Sequence, residues 1–348
     1  MTYGRRVSRR SNLSLPRLVL ASLAGIGMVL LFAGAGYAEP TAVWREARPL
    51  MGTLVELQVE GANEDALRRA ADAAYREMQR LTDIMSHYDP ASTVSEINRQ
   101  AGIAPVAAPA ELLEVLRMAR RVSEATDGAF DVTVGALPWE FGTDAPRVPD
   151  AATIEARRAL VNYRDVIVDE RRGTVFLRRR GMRLDLGGIA KLYILDAGMR
   201  MLRRDSIASA MINGGGDVIV IGAGRAAPWR IGIRDPRGAA RPLGVVELRD
   251  GFVVSSGDYE RYVEQDGRRL HHILDPRTGR PSQDLAQVTL VAARLEQVNG
   301  YGPALMVIGY DRARALLERL PGVEALLVRA SGETWSTPGF RALLAPAR

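Results

Sequence analysis

The stretch best equipped for chemistry is Arg183–Tyr193, which places the carboxylate of Asp185 shortly before the ammonium group of Lys191. Leucines on either side of Asp185 predict an extended segment with that carboxylate on the opposite face. The pair Gly187–Gly188 ends this segment, and helical spacing of apolar residues predicts a helix over 189–204. A helix that starts after a glycine turn has free amide groups, which favour a phosphate or carbonyl oxygen.

Lys191 is the only lysine of the chain, and every other basic side chain is arginine or histidine. A single ammonium in this place indicates a need for a compact point charge rather than a planar guanidinium. A buried strand–helix corner with chance residue usage is the alternative, and the corner's residues alone favour neither interpretation.

Three further stretches carry groups that could meet a ligand. Tyr88 lies on a polar loop, where an exposed ring would stack on a flat ligand, although packing is the commoner use of a loop tyrosine. The segment Gly128–Gly135 combines small residues with Phe130 and Asp131, which suits either close approach to a ligand or a tight bend. The third stretch consists of the polar segments 255–261 and 271–279. His272 in this stretch could exchange protons near neutral pH, or it could belong to a structural ion network with Asp258.

Several classes of protein are excluded by what the motifs lack. A strand rather than a helix is predicted after the glycines at 214–216, which argues against a dinucleotide-binding turn. Three histidines and no cysteine leave no zinc motif and no disulfide. No Gly-x-Ser-x-Gly elbow is present, which argues against an α/β-hydrolase.

The chain has 348 residues and a net charge of +6, but five of these charges are arginines in residues 1–38, which contain no acid. The remainder is close to neutral, so the basic balance does not indicate nucleic-acid binding. Residues 1–38 have the form of a signal peptide, with an apolar run at Leu18–Phe32 and small residues up to Ala38. Ser8–Leu13 resembles a twin-arginine signal; a Sec signal and a retained membrane anchor are the alternatives.

The elements that must position these groups come in blocks of helices and blocks of strands. Helices are predicted from Asn63 to Leu81 and over 92–98, 110–126, 151–160 and 189–204. Strands dominate from 207 to 293, with an antiparallel run over 229–274, before two more helical stretches and a closing hairpin near 333–337. This order favours an α+β fold over a doubly wound parallel sheet.

Together the stretches resemble one family, the ApbE-type FAD:protein FMN transferases, over about Arg48 to Val328. The motifs that carry the resemblance are Met51-Gly52-Thr53, the loop with Tyr88, Gly128–Asp131, Leu184–Lys191, Asn213–Asp217, Ser256–Arg261 and His272–Gly279. Their number and order make the resemblance specific, although each motif alone is weak.

The resemblance implies an α+β, T-fold-related fold of two lobes, with antiparallel sheets and packed helices and with FAD between the lobes. It implies splitting of the FAD pyrophosphate, transfer of FMN to a threonine hydroxyl of a partner flavoprotein with a Ser/Thr-Gly-Ala-Thr acceptor, and release of AMP. Residues 39–348 would form this transferase domain. The residues expected to contact FAD are Met51, Tyr88, Ala129, Phe130, Asp131, Asp185, Lys191 and Leu274. His272 and Asp258 are the expected catalytic residues.

The implied Mg²⁺ site departs from the family pattern. The carbonyl of Gly188 is retained, but Asn299 and Pro303 stand where the family has an aspartate and a threonine that bind the metal. Asn299 keeps an oxygen without its charge, and Pro303 lacks a hydroxyl, so weaker Mg²⁺ binding is expected. The alternatives to an active transferase are therefore an FAD-binding assembly protein and an FAD pyrophosphatase.

The signal and the absence of a lipid-modified cysteine lead us to expect a periplasmic protein that is not a lipoprotein. Its expected partner is an exported or membrane flavoprotein of a respiratory complex or of nitrous-oxide reductase maturation. Membrane contact is expected only through the N-terminal segment, and no contact with nucleic acid is expected.

Overall fold

The structure is a computed structural model that describes residues 42–345 except 142–146, 223–226, 239–240 and 266. All described residues belong to one unit, Glu39–Arg348. The predicted signal peptide, residues 1–38, lies outside the described residues. No helix among the described residues is long and apolar enough to cross a membrane.

The helices of the described residues are α1 Glu64–Met85, α2 Thr93–Arg99, α3 Ala110–Ala125, α4 Ala151–Arg158, α5 Ala190–Arg204, α6 Leu295–Val298, α7 Tyr301–Ile308, α8 Tyr310–Leu317 and α9 Pro338–Leu343, with a 3₁₀ turn at Tyr163–Asp165. The strands are β1 Ala42–Leu50, β2 Thr53–Gly61, β3 Val106–Ala107, β4 Val166–Asp169, β5 Thr174–Leu177, β6 Ser209–Gly214, β7 Asp217–Ile221, β8 Trp229–Ile233, β9 Gly244–Leu248, β10 Gly251–Gly257, β11 Tyr262–Gln265, β12 Arg268–His271, β13 Leu274–Asp275, β14 Arg280–Pro281, β15 Leu285–Ala292, β16 Val323–Arg329, β17 Thr334–Ser336 and β18 Leu344–Ala345.

An eight-stranded antiparallel sheet organises the unit, in the order β1-β2-β6-β7-β10-β15-β16-β17. Smaller sheets are formed by β3-β5-β4, β18-β9-β8, β11-β12 and β13-β14. The predicted α+β class, with antiparallel sheets and packed helices, is confirmed. The strands of the antiparallel run expected over 229–274 are present and pair antiparallel, and they are divided among the large sheet and three small ones.

One face of the large sheet packs against α1 and α5. The two helices cross closely, because a Cβ built on Gly198 of α5 would lie 2.8 Å from the sulfur of Met78 in α1. Leu57 of β2, Leu67 of α1 and Leu195 of α5 belong to the buried cluster that this packing forms. This face therefore fixes the start of α5, where Lys191 lies.

The opposite face packs against β8, β9 and α9. Trp229, Val246 and Phe340 belong to this second cluster, and Phe340 is fully buried. Because both faces are covered, every residue of β15 is buried, including the polar Gln287 and Thr289.

Two further expectations differ from the structure. The segment before the glycine pair is extended but is not a strand, because the peptide of Leu184 is bound by the side chain of Asn98. Oδ1 of Asn98 accepts from the amide of Leu184 at 2.6 Å and its Nδ2 donates to the carbonyl at 3.1 Å.

Helix α9 was not predicted, although Thr337 caps it and Pro338 occupies its first turn.

Candidate functional site

The corner before α5 differs from the expectation of free amide groups. The amide of Gly187 donates to Oδ1 of Asp185 at 2.8 Å, and those of Ile189 and Ala190 donate to the carbonyl of Leu186 at 2.9 and 2.7 Å. These three amides are therefore already paired. An anion at this corner would be met chiefly by the side chain of Lys191, in the first turn of α5.

Lys191 has a counter-ion in the protein. Its Nζ lies 2.9 Å from Oδ2 of Asp217, a buried residue at the start of β7. The other carboxylate oxygen of Asp217 accepts from the amide of Ser255 at 3.3 Å. The ion pair joins the first turn of α5 to the large sheet and so holds the ammonium group in one place.

The Tyr88 loop meets the same corner through its neighbour. Nδ1 of His87 lies 3.4 Å from Oδ1 of Asp185, and the rings of His87 and Tyr88 are in contact with centroids 3.9 Å apart. The Tyr88 side chain is 75% exposed. A large ring held outward beside a charged corner can stack on a flat ligand.

Phe130 and Asp131 have buried surroundings. The Phe130 ring packs on the glycine pair, with its Cε2 3.1 Å from the position of a Cβ on Gly188. Both oxygens of Asp131 accept hydrogen bonds within the protein, Oδ1 from the amide and hydroxyl of Thr133 and Oδ2 from the amide of Tyr163. Burial raises the pKa of Asp131 in spite of these bonds. The structure therefore places Asp131 as an anchor of this loop, and its contact with FAD stays a prediction, as does that of the neighbouring buried Ala129.

Met51 occupies a strained position at the turn between β1 and β2. Met51 and Gly52 both have positive φ, 53° and 71°, which suits a two-residue hairpin turn. A side chain other than glycine is unfavourable there, and such strain is commonest at functional sites. The role of Met51 in FAD binding stays a prediction.

His272 has the most perturbed surroundings of the candidate catalytic groups. Burial, with the charges of Arg261 and Lys191, lowers the pKa of His272 to about 3, so its ring is neutral near neutral pH. Its Nδ1 is buried and has no hydrogen-bond partner among the described residues. The neutral ring can therefore accept a hydrogen bond from a ligand hydroxyl at Nδ1.

The other histidine of this pair, His271, has a structural role. Its ring is buried, Nε2 lies 2.6 Å from the carbonyl oxygen of Ser282, and Nδ1 accepts from the amide of Ile273 at 3.3 Å. Half-buried Leu274 follows in β13, close in sequence to His272, and its contact with FAD stays a prediction.

Asp258 is not joined to His272 by any contact that the structure shows. Both of its carboxylate oxygens accept from Nη1 of Arg237, at 2.9 and 3.0 Å, and Nη1 of Arg269 lies 3.6 Å away. The structural ion network foreseen as the alternative is present around Asp258. Its catalytic role stays a prediction.

The residues of the expected metal site do not offer the ligands that Mg²⁺ prefers. Asn299 is buried at the end of α6, and its Nδ2 lies 3.8 Å from the sulfur of Met118. The ring of Pro303 packs on Gly188, with Cγ 3.4 Å from the position of a Cβ there. Among the described residues no group of three or more acidic or histidine side chains could hold a metal ion. The donors at this position therefore do not fit a tight Mg²⁺ site.

A surface groove lies between α8, β16 and α9 and includes Leu317, Val323 and Trp335, but none of the predicted site residues. The charged residues that line it are Glu318, Glu324 and Arg341. The corner at Asp185 and Lys191 remains the candidate site.

Comparison with known proteins identifies the family of this chain. The sequence model described as the ApbE family matches residues 51–327, which include the corner, the Tyr88 loop and His272. The chain belongs to the ApbE family. It is 36% identical over 290 residues to an FAD:protein FMN transferase of Klebsiella pneumoniae, covering 82% of this chain and 89% of the relative. It is 34% identical over 325 residues to an FAD:protein FMN transferase of Treponema pallidum, covering 86% and 89%.

A solved ApbE-family structure shows the same fold. The crystal structure of the ApbE protein of Thermotoga maritima superposes with a TM-score of 0.81 at 33% identity, covering 87% of this chain and 100% of that chain. The ApbE fold therefore extends over nearly all of the described residues.

Proposed function

We propose that this protein is an FAD:protein FMN transferase that binds FAD at the corner of Asp185 and Lys191. Membership of the ApbE family supports the reaction class, because relatives over most of the chain are FAD:protein FMN transferases. The observation that carries the proposal for this chain is the buried Nδ1 of His272, which has no hydrogen-bond partner among the described residues. A neutral base and a fixed cation are the two groups that this transfer needs.

In the proposed reaction the hydroxyl oxygen of an acceptor threonine attacks the phosphorus of the FMN half of FAD. A phosphoester bond forms between threonine and FMN, the pyrophosphate bond to the AMP half breaks, and AMP leaves. His272, whose buried Nδ1 has no hydrogen-bond partner among the described residues, accepts the hydroxyl proton and passes it to water. Lys191 opposes the negative charge of the phosphates.

The remaining groups position the substrate. The exposed Tyr88 ring stacks on a ring of FAD, and Phe130 packs behind Gly188 to shape the corner. Because Asn299 and Pro303 supply neither a charged oxygen nor a hydroxyl, no step of the proposal passes through Mg²⁺.

The proposed partner is a flavoprotein with a Ser/Thr-Gly-Ala-Thr acceptor in an exported respiratory assembly, including nitrous-oxide reductase maturation. The twin-arginine-like segment and the apolar run support export to the periplasm. Both points come from the sequence.

The test mixes the purified protein with FAD, Mg²⁺ and an acceptor domain, and a threonine-to-alanine acceptor serves as the control. Covalent flavin fluorescence on the acceptor with equal release of AMP is expected. AMP without labelled acceptor would instead indicate a pyrophosphatase, and FAD retained without AMP would indicate the holding role that the loss of metal ligands at Asn299 and Pro303 favours.

A further inference from the structure

His87 lies between two groups of the candidate site that are far apart in sequence. Its ring is in contact with the Tyr88 ring on one side and faces Asp185 on the other, at the distances given above. The His87 side chain is only 19% exposed, whereas Tyr88 beside it is 75% exposed. His87 is thus packed against the corner while it supports a ring that faces solvent.

The loop that carries His87 is held at several points. Oγ of Ser86 accepts from the amides of Tyr88 and Asp89, both at 3.3 Å, and the Ser92 hydroxyl donates to the carbonyl of Ser86. The hydroxyl of Ser95 donates to the carbonyl of His87 at 3.4 Å. These hydrogen bonds of serine side chains therefore fix the path of the loop backbone. The side chain of His87 then connects the loop to the corner.

Asp185 is shared between this contact and the glycine turn. The same Oδ1 that faces His87 accepts from the amide of Gly187, and the amide of Asp185 donates to the carbonyl of Val132 at 2.7 Å. A shift of His87 would therefore act on the turn that leads into Lys191.

We propose that His87 is a positioning residue for flavin capture: it holds the Tyr88 ring beside the Asp185–Lys191 corner, so that a planar ring and its phosphate tail are bound together. The proposal rests on the proposed function, since the ligand is FAD. Preorganising two contacts of one ligand lowers the entropic cost of binding it. His87 acts through Tyr88 and Asp185 and need not touch the reacting atoms.

The test is a double-mutant cycle on FAD affinity in the full-length protein, using His87→Ala, Tyr88→Ala and the pair. We expect His87→Ala to weaken FAD binding by about tenfold, which corresponds to about 1.4 kcal/mol. We also expect less quenching of flavin fluorescence, because the Tyr88 ring no longer stays in place. In the Tyr88→Ala background, His87→Ala should weaken FAD binding much less than it does in the parent, because the effects of coupled residues are not additive.

His87→Gln is the second variant, because it keeps a polar group toward Asp185 and loses the ring beneath Tyr88. It should recover part of the affinity and none of the quenching. Ile103→Ala, at another exposed apolar side chain, is the control and should bind FAD as the parent does.

Two results would overturn the proposal: parent-like affinity and quenching in His87→Ala, or fully additive effects of the two alanine variants. A parent protein that binds no FAD would overturn the proposed function as well, so the two failures are distinguishable.

Discussion

Nζ of Lys191 lies 2.9 Å from Oδ2 of Asp217, so the only lysine of the chain is already paired with a carboxylate in the candidate site. The pair links the first turn of α5 to the first residue of β7. A pyrophosphate that binds here must share the ammonium with Asp217. This arrangement fixes the cation in advance, and such preorganisation is what charge stabilisation requires.

Replacing Lys191 tests that role. Lys191→Ala should weaken FAD binding roughly 10-fold to 100-fold, the size expected for one lost charged hydrogen bond. Lys191→Arg keeps the positive charge but changes its geometry, so its FAD affinity should lie between those of the parent and Lys191→Ala. Fluorescence titration with FAD provides the measurement, and an alanine variant with the parent's Kd would show that the pyrophosphate lies elsewhere.

The lowered pKa of His272, about 3, predicts a pH dependence of stability. Below the ordinary histidine pKa of about 6.5 the unfolded chain binds a proton that the folded protein does not, so stability falls as pH falls from about 6.5 toward 3. In His272→Asn this contribution is absent, and the loss of stability on acidification should be smaller. Urea unfolding across that range measures it, and equal pH dependence in both proteins would contradict the neutral, buried ring.

Mg²⁺ binding should tighten when Asn299 and Pro303 are replaced by the ligands that the family has at these positions. Asn299→Asp with Pro303→Thr restores a charged oxygen and a hydroxyl next to the carbonyl of Gly188, so it should tighten Mg²⁺ binding well beyond that of the parent. Calorimetric titration with Mg²⁺ in the presence of FAD compares the two proteins. Asn299→Asp alone separates the charge from the hydroxyl. If the parent already binds Mg²⁺ as tightly as the double variant, the donor argument is wrong.

Phe340 of α9 should matter for stability and not for flavin binding. It is fully buried in the cluster on the face of the sheet opposite α1 and α5. Phe340→Ala should lower the free energy of unfolding by about 3–5 kcal/mol, as for other large-to-small core changes. Unfolding titrations measure the free energy of unfolding, and FAD titrations at a temperature where the variant is folded measure the affinity for FAD. A marked loss of FAD affinity would place this face in the site.

Export can be tested on the full-length precursor. Cleavage after Ala38 should give a mature protein that begins at Glu39, and lysines in place of Arg9 and Arg10 should block export if the twin-arginine pathway is used. N-terminal sequencing of the periplasmic protein identifies the cleavage site, and the amount of periplasmic protein shows whether export is blocked. Undiminished export of the lysine variant would indicate the Sec pathway, and an uncleaved precursor in the membrane would indicate a retained anchor.

Local patterns predicted many elements well. Helix α1 begins directly after Asn63, close to the predicted start, and the strand of the predicted closing hairpin pairs with β16. Alternation and caps are local properties of the chain, so a sequence contains them directly.

Properties that depend on distant residues were not accessible in this way. Nothing near Leu184 indicates that the Asn98 side chain takes the place of a neighbouring strand. The partners of Lys191 and Asp258 likewise come from other elements, so their ion pairs with Asp217 and Arg237 appear only in the fold. The sequence therefore indicated candidate groups for the chemistry, but not which of them are already paired in the fold.

The most direct test of the central claim is the intact mass of an acceptor domain after incubation with the protein and FAD. We expect a mass increase of one FMN less one water, located on the acceptor threonine, with one AMP released for each label. The increase should be absent with the alanine acceptor and strongly reduced with His272→Asn. An unmodified threonine acceptor, under conditions where the protein binds FAD, would contradict the claim that this chain transfers FMN.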